Sequence, residues 1–338
     1  MRRRLNEGGG IYFPSSSSLN FVHTGCTVLD LVMGNGWPLG RVVNIVGDQS
    51  SGKTLLGIEG MSNFFQEYPR SRSRYNESEA AFIPEYASAL GLPVDRVEFT
   101  RNEENGSDPS TVEKFYRDID DYLKKLRGKP GMYVLDSLDA LSDEAEIGRG
   151  FEEGTYGTGK AKQMSQLFRR IAGRVEDSQV CLMIISQTRD RISSGFGRKY
   201  SRSGGRALDF YSSIIIYLAH IGEITRTIKG VKRSVGVRVK AKCTKNKIGL
   251  PFRSCEFPII FGFGVEDVTA SLDWLHQHKR LGSADLTIKE YKELKLLALR
   301  IGLGSNYEEI RDRVSKAVRS GWKEVESSFL PKRGKYQR

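Results

Sequence analysis

Short apolar runs and helical stretches alternate along most of this chain. Residues 42–46, 133–135, 181–185, 213–218, 235–242 and 257–261 have strand length and are rich in β-branched and aromatic side chains. Between them, 53–68 and 110–126 repeat apolar positions at helical spacing. This alternation over residues 23–264 predicts an α/β core, a mainly parallel sheet covered by helices on both faces. The last strands follow one another with only turns between them, which predicts an antiparallel side. Residues 70–75 read Arg-Ser-Arg-Ser-Arg-Tyr, a poor pattern for a buried strand.

From residue 265 the period changes. Residues 267–279, 288–301 and 307–329 predict helices, and together a small helical domain over 265–330. Thr287 with Glu290, and Asn306 with Glu309, have capping-box spacing. Residues 1–22 predict an arm. Gly8 to Gly10 and Ser15 to Ser18 cannot bury much, and Tyr12, Phe13 and Phe21 are isolated aromatics that a neighbouring copy could receive. Residues 331–338 form a basic tail.

Composition narrows the class. Among 338 residues, 16 Phe, 14 Tyr and an apolar share of 38% can build a core, which excludes a disordered chain. Lys plus Arg is 53 against 41 Asp plus Glu, a formal net charge of +12 that favours polyanionic partners. No apolar stretch reaches the roughly 18 residues of a membrane span, and Gly8 to Gly10 stand where a secretory leader would be apolar. The expectation is a cytoplasmic protein with no membrane partner. Cys26, Cys181, Cys243 and Cys255 lack CxxC spacing and fit reduced core thiols. His276 and His278 have no third ligand nearby and fit a surface pair.

The sharpest chemical signal is Gly47-Asp48-Gln49-Ser50-Ser51-Gly52-Lys53-Thr54. It follows the apolar run 42–46 and opens a helical pattern, the context a phosphate-binding loop requires. Backbone N–H groups of such a loop converge on phosphates, and the helix N-terminus adds a positive dipole end. Lys53 would reach the β- and γ-phosphates of ATP, and Thr54 would offer its hydroxyl to Mg2+. A partner carboxylate should end another buried strand. Asp136 does so after Met132-Tyr133-Val134-Leu135 and would hold the magnesium shell.

Residues 188–206 contain Arg189, Arg191, Arg198, Lys199, Arg202 and Arg206, six cations in 19 residues against Asp190 alone. Phe196 and Tyr200 are interleaved, and Gly204 and Gly205 are among the glycines that allow close backbone approach. Cations neutralise phosphates while aromatics and glycines accommodate bases, so the segment fits single-stranded DNA. A second glycine-rich stretch, 147–162, carries Arg149, Lys160 and Lys162, and Arg169 lies on the predicted helix after it. Glu144, Glu146, Glu152 and Glu153 weaken its electrostatics.

Four segments resemble the RecA family of DNA strand-exchange ATPases, including its phage UvsX-type members. They are Thr24-Gly25-Cys26-Thr27-Val28-Leu29-Asp30 leading through Pro38-Leu39-Gly40-Arg41 into the phosphate loop; Glu77-Ser78-Glu79 with Pro84-Glu85-Tyr86-Ala87; Ser186-Gln187 with the basic stretch to Gly204-Gly205-Arg206; and Lys245-Asn246-Lys247 before Pro251-Phe252. Their order and spacing agree over about residues 22–264. The resemblance implies a RecA-like P-loop ATPase core. It implies that Glu79 orients and deprotonates the attacking water, and that Tyr86 stacks on adenine. It also implies that Gln187 senses the γ-phosphate, and that Lys245 and Lys247 reach a neighbouring subunit's ATP. It assigns the stretch with Arg149, Lys160 and Lys162 to a first DNA loop. The implied cofactors are ATP and Mg2+. The implied partners are single-stranded DNA, homologous double-stranded DNA and further copies in a helical filament, with a single-strand-binding protein or loader upstream. The activity expected is ATP-dependent homologous pairing and strand exchange. A DNA-binding paralogue with little ATPase and a ring-forming helicase on the same core are the alternatives, since fold alone does not fix activity.

Overall fold

The structure is a computed structural model that describes residues 19–78, 82–100, 111–142, 144, 158–190, 200–202 and 205–331. Near its start, β1 (Phe21–Val22) pairs antiparallel with β2 (Trp37–Pro38), and α1 (Thr27–Met33) lies between them in sequence. Phe21 and Val22 belong to the predicted arm, yet they are held in this ladder and Val22 is fully buried.

The central sheet contains β3 (Val42–Gly47), β4 (Arg72–Glu77), β5 (Val97–Phe99), β6 (Gly131–Asp136), β7 (Val180–Asp190), β8 (Tyr200–Arg202), β9 (Ile214–Ile228), β10 (Val231–Asn246), β11 (Ser254–Ile260) and β12 (Gly264–Val265). Their spatial order is β12-β11-β10-β9-β3-β7-β6-β4-β5, with β8 added to β7. The six strands from β9 to β5 are parallel, and the ladder from β9 to β12 is antiparallel. The α/β architecture and its antiparallel side therefore match the hydrophobic pattern.

Alternation decides which helices cover which face. Met132 and Val134 of β6, with Cys181, Met183 and Ile185 of β7, enter one apolar cluster. It includes α2 (Lys53–Glu67) and the C-terminal helices α7 (Asp267–Gln277), α8 (Ile288–Leu299) and α9 (Tyr307–Ser328). Tyr133 and Leu135, with Val180, Leu182 and Ile184, point the other way, into a cluster with α4 (Val112–Leu126) and α5 (Thr158–Asp177). Two short helices complete the set, α3 (Pro84–Ala89) and α6 (Gly205–Tyr211). All four cysteines are unpaired and buried.

The C-terminal helices end close to expectation. Thr287 and Glu290 form the complete capping box at α8, whereas Asn306 makes no side-chain cap and is preceded by a 3-10 turn. Glu266 caps α7 by accepting from Val268 N at 3.1 Å and Thr269 N at 2.7 Å. Arg253 meets Glu326 through two bonds of 2.7 and 2.6 Å, which fastens α9 to the start of β11.

The expectation of an irregular segment at 70–75 is overturned. Residues 72–77 form β4, paired in parallel with both β5 and β6. The polar side chains are tolerated because each finds a partner. Arg74 Nη2 donates to Glu98 Oε2 at 2.5 Å, and Nη1 donates to Asp118 Oδ1 at 2.7 Å and Asp121 Oδ2 at 3.2 Å. Burial would lower the Arg74 pKa, but the Glu98 and Asp118 carboxylates outweigh it and hold it above its ordinary value. Asn76 donates to Tyr133 Oη at 2.9 Å.

A second difference is length. The runs 213–218 and 235–242 extend into β9 and β10, which leave the sheet as an exposed two-stranded ribbon. Lys229 (φ 49°) and Gly230 (φ 79°) turn it, both in the left-handed region that a tight two-residue hairpin needs.

Candidate nucleotide and nucleic-acid site

The predicted phosphate loop joins β3 to α2. Val42 to Gly47 are all buried, so the strand end is rigid, while Asp48, Gln49 and Ser50 are exposed. A Cβ on Gly47 would stand 2.6 Å from Ser51 Oγ and 2.7 Å from Leu218 O, so only glycine fits there. Gly52 sits at φ 87° as the cap of α2. Ser51 Oγ donates to Asp48 O at 2.8 Å, and Lys53 Nζ donates to the same carbonyl at 2.6 Å. The loop is thus closed on itself, with Lys53 folded over it at the N-terminus of a 15-residue helix.

Thr54 and Asp136 meet. Thr54 Oγ1 donates to Asp136 Oδ2 at 2.6 Å, from the first turn of α2 to the end of β6. A hydroxyl and a carboxylate at this distance are hard oxygen donors of the kind Mg2+ prefers. Sequence reasoning missed a third member, Tyr75. Its hydroxyl donates to the same Oδ2 at 2.7 Å from the buried strand β4. Nothing in the local pattern marks it, because the contact depends on the β4–β6 register.

Glu79 lies outside the described residues, but both flanks of its segment are defined. Ser78 N donates to Asp136 O and Ser78 Oγ to Ser137 O, each at 2.8 Å. Phe82 N donates to Glu77 Oε1 at 2.7 Å. The segment therefore leaves and returns beside the carboxylate end of β6.

Gln187 stands in register with Gly47 on the neighbouring strand. Its N–H donates to Asp139 Oδ2 at 2.7 Å, from the 3-10 turn that follows β6. Asp139 is a second residue the sequence did not mark. One residue later, Thr188 Oγ1 bonds Asp48 Oδ1 of the phosphate loop. Beyond it β7 continues to Asp190 and pairs antiparallel with β8, Thr188 with Arg202 and Arg189 with Ser201. The basic segment thus begins and ends as a strand pair rooted beside the phosphate loop. Arg191, Phe196, Arg198, Lys199 and Gly204 lie outside the described residues. So do the side chains of Arg189, Arg202 and Arg206; Gly205 opens α6.

Arg149 also lies outside the described residues. On α5, Lys162 and Arg169 are exposed and seven residues apart, so they share a helix face. Lys160 is engaged differently: its ammonium donates to Leu138 O at 3.3 Å and also to Leu141 O, bracing the turn after β6. Tyr86, on α3, is half-buried against the core, and burial, then the Glu59 charge, raises its pKa.

Lys245 and Lys247 are at the far end of the sheet. Lys245 pairs with Ile215, whereas Gly47 is level with Leu218. Three residues of strand put roughly 10 Å between those levels. Both ammonium groups cap the C-terminus of α6. Lys245 Nζ donates to Phe210 O at 2.9 Å and also to Asp209 O, and Lys247 Nζ donates to Phe210 O at 3.1 Å. They do not meet this chain's own phosphate loop.

Against known families, the model of the RecA N-terminal domain matches residues 13–266. The chain belongs to the RecA family. Protein RecA of Chlamydia pneumoniae is 32% identical over 297 residues, covering 83% of this chain and 79% of that protein. Protein RecA of Nostoc sp. is 34% identical over 252 residues, 75% of this chain and 66% of that protein. Protein RecA of Arthrobacter sp. is 34% identical over 269 residues, 78% and 72% of the two. The family match ends where β12 closes the sheet of this RecA-family chain, just before α7. Among its described residues, no helix is long and apolar enough to cross a membrane.

Proposed function

We propose that this chain is an ATP-dependent DNA recombinase that polymerises on single-stranded DNA and promotes pairing and strand exchange with a homologous duplex. The observation that carries this reading is the strand β7. It puts Gln187 beside Gly47 and runs from there into the basic segment. A change at the γ-phosphate can thereby be felt at the DNA-contact residues without any intervening element.

In this reading ATP is the substrate. The backbone N–H groups from Gly47 to Thr54 bind its phosphates, and Lys53 turns from Asp48 O to the β- and γ-oxygens. Thr54 and Asp136 hold Mg2+, which would neutralise charge on the phosphates. Glu79 orients the attacking water and takes its proton, and Tyr86 stacks on the base. Gln187 reads the γ-phosphate. Lys245 and Lys247 serve the ATP of an adjacent subunit in the filament, as cations donated across an interface do in phosphoryl transfer. Arg149, Lys160, Lys162 and Arg169 belong with Arg189, Arg191, Phe196, Arg198, Lys199, Arg202 and the Gly204-Gly205-Arg206 turn in the DNA channel. Residues 1–18 would join the copies, and the work would be done in the cytoplasm.

The test is ATP hydrolysis with and without single-stranded DNA. Strong stimulation in the wild type and loss of at least about 100-fold in Lys53→Ala are expected. Intact DNA binding with little hydrolysis in either condition would favour a mediator paralogue instead.

A further inference from the structure

We propose that Tyr75 is a positioning residue that ties the metal carboxylate Asp136 to the segment carrying Glu79. The inference rests on the ATPase reading above. Tyr75 is 1% exposed, and its side chain faces the site at both ends. The hydroxyl donates to Asp136 Oδ2 at 2.7 Å, the oxygen that also accepts from Thr54 at 2.6 Å. Two donors converging on one oxygen set the rotation of the carboxylate and leave Thr54 lone pairs for a cation. Groups that hold a metal ligand from behind in this way are commonly worth 10- to 100-fold in metal affinity.

The ring does a second job. Its centroid is 4.8 Å from that of Phe82 and 6.1 Å from that of Phe99, and Phe82 and Phe99 are 4.9 Å apart. Phe82 is the residue at which the Glu79 segment rejoins the described chain, and its N–H is bonded to Glu77 Oε1. At the other end, Ser78 is bonded to the backbone of Asp136 and Ser137. Tyr75 therefore touches the metal side through its oxygen and the water-activating side through its ring. One rigid side chain sets the spacing between the two halves of the reaction centre.

The two contacts can be separated. Tyr75→Phe keeps the ring and removes the hydroxyl. Phe82→Leu keeps the hydroxyl and opens the ring contact. The readouts are Mg2+-dependent binding of a fluorescent ATP analogue at equilibrium, steady-state hydrolysis and thermal melting. Tyr75→Phe should raise the Mg2+ half-saturation of analogue binding about 10-fold, with metal-free binding and melting unchanged. Phe82→Leu should lower kcat while leaving the Mg2+ half-saturation at the wild-type value. Wild-type Mg2+ dependence in Tyr75→Phe, or equal Mg2+ shifts in both variants, overturns the proposal. Wild-type protein whose analogue binding ignores Mg2+ and Asp136→Asn would overturn the ATPase reading itself, and this inference with it.

Discussion

Two buried charged residues show how much a single side chain decides here. Glu59 lies on α2 with Oε1 accepting from Val265 N at 2.7 Å, and its Oε2 has no hydrogen-bond partner. Burial, reinforced by the nearby Asp267 charge and opposed by the Val265 bond, pushes its pKa up to about 8. The folded protein therefore keeps a proton on Glu59 that the unfolded chain has lost above its ordinary value of 4.5. This contribution to stability is complete below about pH 4.5, declines as pH rises toward 8, and is absent above that. Glu59→Gln mimics the protonated form, so it should flatten that decline and exceed the wild type at pH 9 by on the order of 2–4 kcal/mol. Urea midpoints from pH 5 to 9 measure this, and parallel wild-type and variant profiles would contradict it. Arg74 makes the opposite case. Arg74→Met should destabilise by about 3–5 kcal/mol, since it strands Glu98 and Asp118 rather than merely deleting a surface pair. A fall of under 1 kcal/mol in denaturant titration would mean that water replaces the guanidinium.

At the scale of elements, the ribbon of β9 and β10 invites a deletion. Residues 225–234 are mostly exposed, and Arg226 faces Arg233 directly across the ladder, an unfavourable like-charge pair. Replacing 225–234 by an Asn-Gly turn should shift the melting temperature by no more than about 4 °C, because little apolar surface is lost. A larger drop would show that the ribbon packs on something the core needs. The ribbon and β4 were the elements least legible in the sequence, for opposite reasons. The ribbon has no buried face, so no apolar alternation announces it, and only Lys229-Gly230 hinted at a turn. Strand β4 is buried, but the partners of Arg74 come from β5 and α4, 24 to 47 residues away. No window of pattern reading contains both halves of that network. By contrast β3, β6 and the phosphate loop were legible, because strand, loop and helix there are contiguous. Of the site, Lys53, Thr54, Asp136 and Gln187 were readable from motif and spacing. Tyr75 and Asp139 were not, since strand register and the turn after β6 bring them in.

At the scale of the whole molecule, the two lysines of the Lys245-Asn246-Lys247 segment pose a question of assembly. Gly47 stands level with Leu218 and Lys245 with Ile215, and both ammonium groups turn to the carbonyl end of α6. A chain that cannot bring these cations to its own phosphate loop can use them only on another copy, through a head-to-tail contact that repeats. Mixing two inactive variants tests this. Lys53→Ala retains the lysines but has a dead loop, while Lys245→Ala/Lys247→Ala has a sound loop but donates nothing. Each alone should hydrolyse ATP poorly. In an equimolar mixture about a quarter of random head-to-tail contacts pair a sound loop with sound lysines, so hydrolysis should recover toward that fraction of wild type. Lysines acting within their own chain would leave the mixture as inactive as its parts. Recovery that also requires single-stranded DNA would further show that the strand assembles the contact, linking the basic segment beyond β7 to the loop beside Gln187.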